Sequence, residues 1–126
     1  MFDKLLAPQT GRAYMALRIV SGLLFAYHGA QKVFGVFGGT TQEVGTQMWV
    51  GGVIELAGGL MIALGIGTRL AAFLASGTMA VAYFQFHWKF QFDANFFPAA
   101  NGGELAVLYC FLFLYIACHG NGRGSN

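Results

Sequence analysis

Arg18, His28, Gln31 and Lys32 interrupt an apolar stretch that reads RIVSGLLFAYHGAQKVFGVFG from Arg18 to Gly38. At about 100° per residue, Arg18, His28 and Lys32 fall within an arc of roughly 80° on one helix face. Glu55, His87 and Glu104 follow further along the chain. Imidazole and carboxyl groups take up and release protons, and Lys or Gln donates hydrogen bonds to a polar ligand. Ionisable groups in so apolar a setting are functional candidates, because a low-dielectric surround penalises every unpaired charge.

Four chemistries are open to this set. The plainest is charge neutralisation, in which Lys32 or Arg18 pairs with Glu55 and Glu104 places a negative charge at a helix N-terminus. A second is a pocket for a quinone or other small molecule. His28 or Glu55 would be its acid or base, Gln31 or Lys32 its donor, and Phe25, Tyr27 and Tyr109 its walls. A third is haem held between His28 and His87, against which stands glycine-rich packing that leaves little room for a porphyrin. A fourth is a metal ion held by His28, His87, Glu55 and Glu104, a donor set that suits Fe, Mn or Zn. The Glu-x-x-His spacing of di-iron helix bundles is missing. Cys110 and Cys118 read as core thiols; on one helix they stand about 12 Å apart along the axis, too far for a disulfide. With no CxxC, thiol–disulfide chemistry has little support.

These groups need elements to carry them. Of 126 residues, 56% are hydrophobic and 10% charged, against about 25% charged in a soluble domain. The apolar residues come in long runs without period-two alternation. Backbone groups in lipid must be bonded internally, so the class is all-α: an integral membrane four-helix bundle in a single domain over residues 1–126. A net charge of +2 without a basic cluster excludes a nucleic-acid partner.

Four helices are expected, at roughly 11–34, 46–64, 70–86 and 104–117. Before the first, Phe2, Leu5 and Leu6 suggest a short segment on the membrane surface. Arg18 breaks up the apolar run and no small-residue cleavage site follows, so the first helix reads as retained rather than as a signal peptide. In the second, Gly51, Gly52, Gly58 and Gly59 repeat at seven residues and give one side on which another backbone can approach, with Glu55 close to it. GIGTR, from Gly65 to Arg69, is a tight turn. The connection from Lys89 to Gly103 carries Phe90, Phe92, Phe96 and Phe97, placed at the headgroups or over the helix ends. His119 suits the C-terminal end of the last helix. Lys4, Arg12, Arg69 and Arg123 fall on one side of an up-down-up-down arrangement, which puts both termini in the cytoplasm. His28, Lys32, Glu55, His87 and Glu104 then gather in the outer half, with Arg18 alone towards the cytoplasm.

The chain resembles the DoxX family of small bacterial four-helix membrane proteins. The resemblance is carried by R-x3-G-x2-F-x2-H-G-x-Q-K-x-F-G from Arg18 to Gly35, by E-L-x-G-G-L with L-G-x-x-T-R from Glu55 to Arg69, and by N-G-G-E-L-A from Asn101 to Ala106. It implies a multi-pass protein of the bacterial inner membrane, in the company of quinol- and thiosulfate-oxidising or other redox assemblies. The expected role is an accessory, non-catalytic subunit that scaffolds membrane partners and shapes a quinone or proton site near the outer face. A homo-oligomer is compatible with it. The alternative is a stand-alone transporter or channel whose polar path is lined by Arg18, Lys32 and Glu55. No CxxCH, iron–sulfur cysteine set or dinucleotide loop is present, so electron carriers would belong to a partner.

Overall fold

A computed structural model describes residues 1–89, 96–98 and 102–122. Among them the secondary structure is entirely helical. A short helix α1 (Phe2–Leu6) leads through a 3-10 turn containing Pro8 into α2 (Thr10–Phe34). Helices α3 (Gln47–Leu64), α4 (Thr68–Ala82) and α5 (Glu104–His119) follow. The fifteen residues of α4 continue directly into six residues of π-helix, Tyr83–Trp88. All of α1 is exposed, with Phe2, Leu5 and Leu6 uncovered. Phe90, Phe92, Asn101 and Arg123, which entered the sequence reading, lie outside the described residues.

Local chemistry sets the ends of these helices. Thr46 caps α3 by accepting a hydrogen bond from the Trp49 amide, which satisfies one of the orphan donors of the first turn. Gly65 ends α3 in the left-handed region at φ 78°. Glycine suits this position, because a Cβ would lie 2.6 Å from the Arg18 guanidinium and the backbone would be strained. The loop after α2 folds back on it: Gln31 Nε2 donates to the Phe37 carbonyl at 3.0 Å and the Gln42 amide to the Lys32 carbonyl at 2.8 Å.

The helices meet through two kinds of surface. Between α2 and α3 the contact is backbone on backbone. A Cβ at Gly22 would lie 2.6 Å from the Gly59 carbonyl, and one at Gly59 2.5 Å from the Ala26 amide. Gly29 meets Gly52 and Leu56 in the same way, so small residues set the separation. The four glycines of α3 do not share one neighbour. Gly52 and Gly59 face α2, while Gly58 looks towards Ala71 of α4 and Gly51 towards open space. Between α2 and α5 the filling is aromatic. Phe25 packs on Tyr109 and Phe113 with ring centres 5.8 and 4.8 Å apart. Helices α4 and α5 close the core through Ala72, Ala75, Ile116 and the Ser76 hydroxyl, which donates to the Cys110 carbonyl at 2.7 Å. Cys110 is half-buried, but Cys118 is exposed, so only the first belongs to the interior.

Large apolar side chains cover the outside of the helices, and a few polar ones lie inside with the apolar core. Leu17, Leu24, Phe73, Leu74, Leu108 and Phe111 are exposed. Buried with the core are Arg18, Ser21, Glu55, Thr68 and Ser76. Only α3, by length and composition alone, is long and apolar enough to cross a membrane among the described residues; α5 is apolar but shorter. Helix α2 fails that test because of its charges, yet its 25 residues span about 37 Å, more than the ~30 Å hydrocarbon layer.

Candidate functional site

Lys32 lies in the last turn of α2 and Glu55 near the middle of α3. The glycine contact brings them together: a Cβ at Gly52 would sit 2.7 Å from the Lys32 Cβ, so only a glycine admits the lysine stem at that point. Lys32 Nζ donates to Glu55 Oε1 at 2.7 Å. The carboxylate side chain is 3% exposed and the lysine 29%. Glu55 Oε2 is buried and has no hydrogen-bond partner among the described residues. An acceptor left in that state costs about 1–3 kcal/mol, and Lys32 offsets the charge without satisfying the second oxygen.

Beside this pair is a cleft of about 520 Å³ between α3 and α4, in the size range of small-molecule sites. Met48, Ile54, Phe73, Leu74, Val81 and Phe86 make most of its wall. Lys32 and Glu55 reach it from α2 and α3, and Thr78 and His87 from α4 and the π-helix. The π-helical turn matters locally, because a wider turn changes which side chains face the helix neighbour. Gln47 and Gln85 are hydrogen-bonded across the same end of the two helices. Rim residues Val50, Phe73, Leu74 and Val81 are exposed and apolar, so the cleft is open towards the greasy outer surface. A carboxylate placed there can accept a hydrogen bond or a proton from a ligand, with the adjacent ammonium holding the charge balance.

The remaining sequence candidates are dispersed. Arg18 is 3% exposed and does not meet Glu55. Its Nη1 donates to the carbonyls of Ile62 and Ala63 at 2.7 and 3.2 Å, so it serves the orphan C-terminal carbonyls of α3. It stands about 21 Å along α2 from Lys32, separated by the tight Gly22–Gly59 and Gly29–Gly52 contacts. Those contacts interrupt a polar path from Arg18 to Glu55. Gln31 is engaged with the loop. His28 and Glu104 are exposed, His28 edge-on to Tyr27. Among the described residues no three His, Cys, Asp or Glu side chains gather as a metal site, so His28, His87, Glu55 and Glu104 do not form the four-ligand set. Facing opposite surroundings, His28 and His87 do not make a haem slot either: one is exposed, the other is half-buried in the cleft wall.

The aromatic walls also fall elsewhere. Phe25 and Tyr109 are core residues between α2 and α5, and Tyr27 stacks on Phe37 with ring centres 4.6 Å apart. Sequence reasoning missed Phe73, Thr78 and Phe86. The spacing of Phe73, Leu74, Gly77, Thr78 and Val81 marks one helical face; nothing in it says that this face borders Glu55. Arg69 was assigned to topology alone, yet it donates to the carbonyls of Ala117, Cys118 and His119 at the end of α5. His119 stacks on Tyr14, with ring centres 4.0 Å apart.

An all-helical protein with Leu, Val and Phe exposed along its helices and with Arg18 and Glu55 buried between them is of the membrane class. The chain belongs to the DoxX family, whose profile matches residues 13–88. That match includes Arg18, Lys32, Glu55 and His87 and ends before α5. An uncharacterized protein of Haemophilus influenzae is 44% identical over 110 residues, 84% of this chain and 81% of that one. No solved structure matches the chain.

Proposed function

We propose that this protein is an accessory subunit of a redox complex in the bacterial inner membrane, with a lipid-accessible pocket for a quinone or similar small molecule at Glu55. The observation that carries the reading is the Lys32–Glu55 pair at the edge of the apolar cleft, buried yet with one carboxylate oxygen unpaired. Family membership favours redox company. The apolar outer surface favours one four-helix membrane domain over residues 1–126, in which α2, α3, α4 with its π-helical extension, and α5 all cross the bilayer. Consecutive contacts run antiparallel: Gly22 meets Gly59, Gly58 faces Ala71, and Arg69 reaches Cys118. An up-down-up-down order with both termini in the cytoplasm follows from Lys4, Arg12 and Arg69. Lys32, Glu55 and His87 then lie in the outer half. Lipid and the other membrane subunits of the complex are its partners, and any electron carrier belongs to those subunits.

The test is extraction of the full chain from its native membrane in mild detergent, followed by mass spectrometry of all bound protein and of organic-solvent extracts. Co-elution with a cytochrome or dehydrogenase subunit, and quinone retained by the wild type but lost in Glu55→Leu, supports the assignment. A solitary chain with no bound small molecule refutes it.

A further inference from the structure

Among the described residues the carboxylate in the cleft wall has one unmet need, and that need is for a donor. Lys32 occupies Glu55 Oε1, and Oε2 has no partner among the described residues. Lys32 keeps further ammonium hydrogens for an accepting head, but these leave Glu55 Oε2 without a donor. Thr78 spends its hydroxyl hydrogen on the Leu74 carbonyl at 2.8 Å, and Gln47 is bonded to Gln85. A cationic head would meet the Lys32 ammonium, and an anionic head would meet the Glu55 carboxylate. The large apolar lining and exposed apolar rim suit a hydrophobic body that arrives from the bilayer.

Building on the small-molecule reading of this site, we propose that the cleft selects uncharged amphiphiles whose head carries a hydroxyl group. The hydroxyl donates to the half-satisfied Glu55 carboxylate, while the apolar body lies along Ile54, Phe73, Leu74 and Val81. Molecules whose heads only accept hydrogen bonds leave the carboxylate unpaired and bind more weakly. Two sources share this chemistry: an alkyl hydroquinone and a lipid alcohol such as a diacylglycerol.

The experiment is calorimetric titration of the full chain in detergent, under anaerobic conditions, with decyl hydroquinone, the matching decyl quinone, the hydroquinone dimethyl ether, and dioctanoylglycerol. Hydroxyl-bearing probes are expected to bind about tenfold or more tightly than the dimethyl ether and the quinone, the difference made by one hydrogen bond to a charged acceptor. Preference for decyl hydroquinone over dioctanoylglycerol, or the reverse, names the source, and either supports donor selection. Glu55→Gln, which supplies an amide donor as well as an acceptor, is expected to erase the preference. Gly77→Leu keeps the site assignment testable should that variant misfold. Gly77 borders the cleft, and a Cβ there meets nothing within 4 Å, so the larger side chain should fill the cleft and abolish binding in a folded protein. Equal or tighter binding of the quinone or the dimethyl ether overturns donor selection while leaving a small-molecule pocket in place. Absence of binding by all four probes overturns the pocket and donor selection together.

Discussion

Replacing Gly29 with alanine tests whether backbone contact between α2 and α3 sets the geometry of the site. A Cβ at Gly29 would lie 2.6 Å from the Gly52 carbonyl oxygen and closer still to the Leu56 amide. Comfortable separation begins near 3.5 Å, so the helices must part by roughly 1 Å at this crossing. The obstructing atoms are main chain, and no rotamer change relieves them. Overpacking of this kind costs about 1–3 kcal/mol, while alanine in place of glycine returns about 0.5–1 kcal/mol of helix propensity. Gly51 and Gly77 are the controls, because a Cβ at either meets nothing within 4 Å. Gly51→Ala and Gly77→Ala should therefore be neutral or slightly stabilising. The expected gap between Gly29→Ala and Gly51→Ala is about 2 kcal/mol, or roughly 8 °C in Tm for a chain of this size. Thermal unfolding followed by circular dichroism in one detergent measures it. Gly29→Ala melting at or above Gly51→Ala would show that the helices are not in van der Waals contact along this seam.

Three further outcomes follow from the same contacts. Lys32→Ala leaves Glu55 buried without its ammonium and should cost about 3 kcal/mol, whereas Lys32→Met combined with Glu55→Leu should recover most of that loss; urea or thermal unfolding of the two variants beside the native chain decides it. Arg18→Ala strips two α3 carbonyls of a buried charged donor and should destabilise by about 2 kcal/mol, while Arg69→Ala, whose contacts are exposed, should cost under about 1 kcal/mol; the ratio of the two melting shifts is the measurement. Cys118 is exposed at the end of α5 and Cys110 is not. A membrane-impermeant maleimide should label Cys118 in inverted vesicles and not in intact spheroplasts; the opposite pattern reverses the proposed topology.

Helix positions were legible because capping residues, turn glycines and apolar runs act within a few residues of one another. The sequence reading starts the second helix at Thr46, which caps it, and ends it at Leu64, before the left-handed Gly65. The Lys32–Glu55 pair was legible as one of two alternatives: both residues had to leave lipid, and each charge needs its opposite. Which cation Glu55 meets depends on the depth at which two helices cross, and one-dimensional spacing carries no such register. Arg18 therefore remained a rival until the structure placed it at the far end of α3. The glycines of α3 show the same gap. Seven-residue spacing puts Gly51 and Gly52 on neighbouring lines, but Gly52 meets α2 while Gly51 meets open space. The π-helix was not legible at all, since Tyr83–Trp88 reads as a plain continuation of α4, and with it went the approach of Phe86 and His87 to the cleft.

The two ends of α3 use polar groups differently, and this bears on where function resides. At its C-terminal end Arg18 donates to Ile62 and Ala63, and Asn121 to Gly65 at 2.9 Å. Tyr14 donates to Gly120 and Arg69 to the last carbonyls of α5 in the same region. Each of these side chains completes a helix terminus, a need that exists whether or not the protein binds anything. Towards the N-terminal end of α3, Glu55 completes no helix terminus. It sits mid-helix, where backbone groups are already bonded, and a leucine would satisfy the fold at lower cost. A carboxylate kept there with one oxygen unpaired, beside an open apolar cleft, is accounted for by a ligand better than by architecture. The stability measurements sharpen that distinction: Lys32→Met with Glu55→Leu should keep most of the native stability yet lose binding, whereas Arg18→Ala should lower stability and spare the affinity of whatever fraction remains folded.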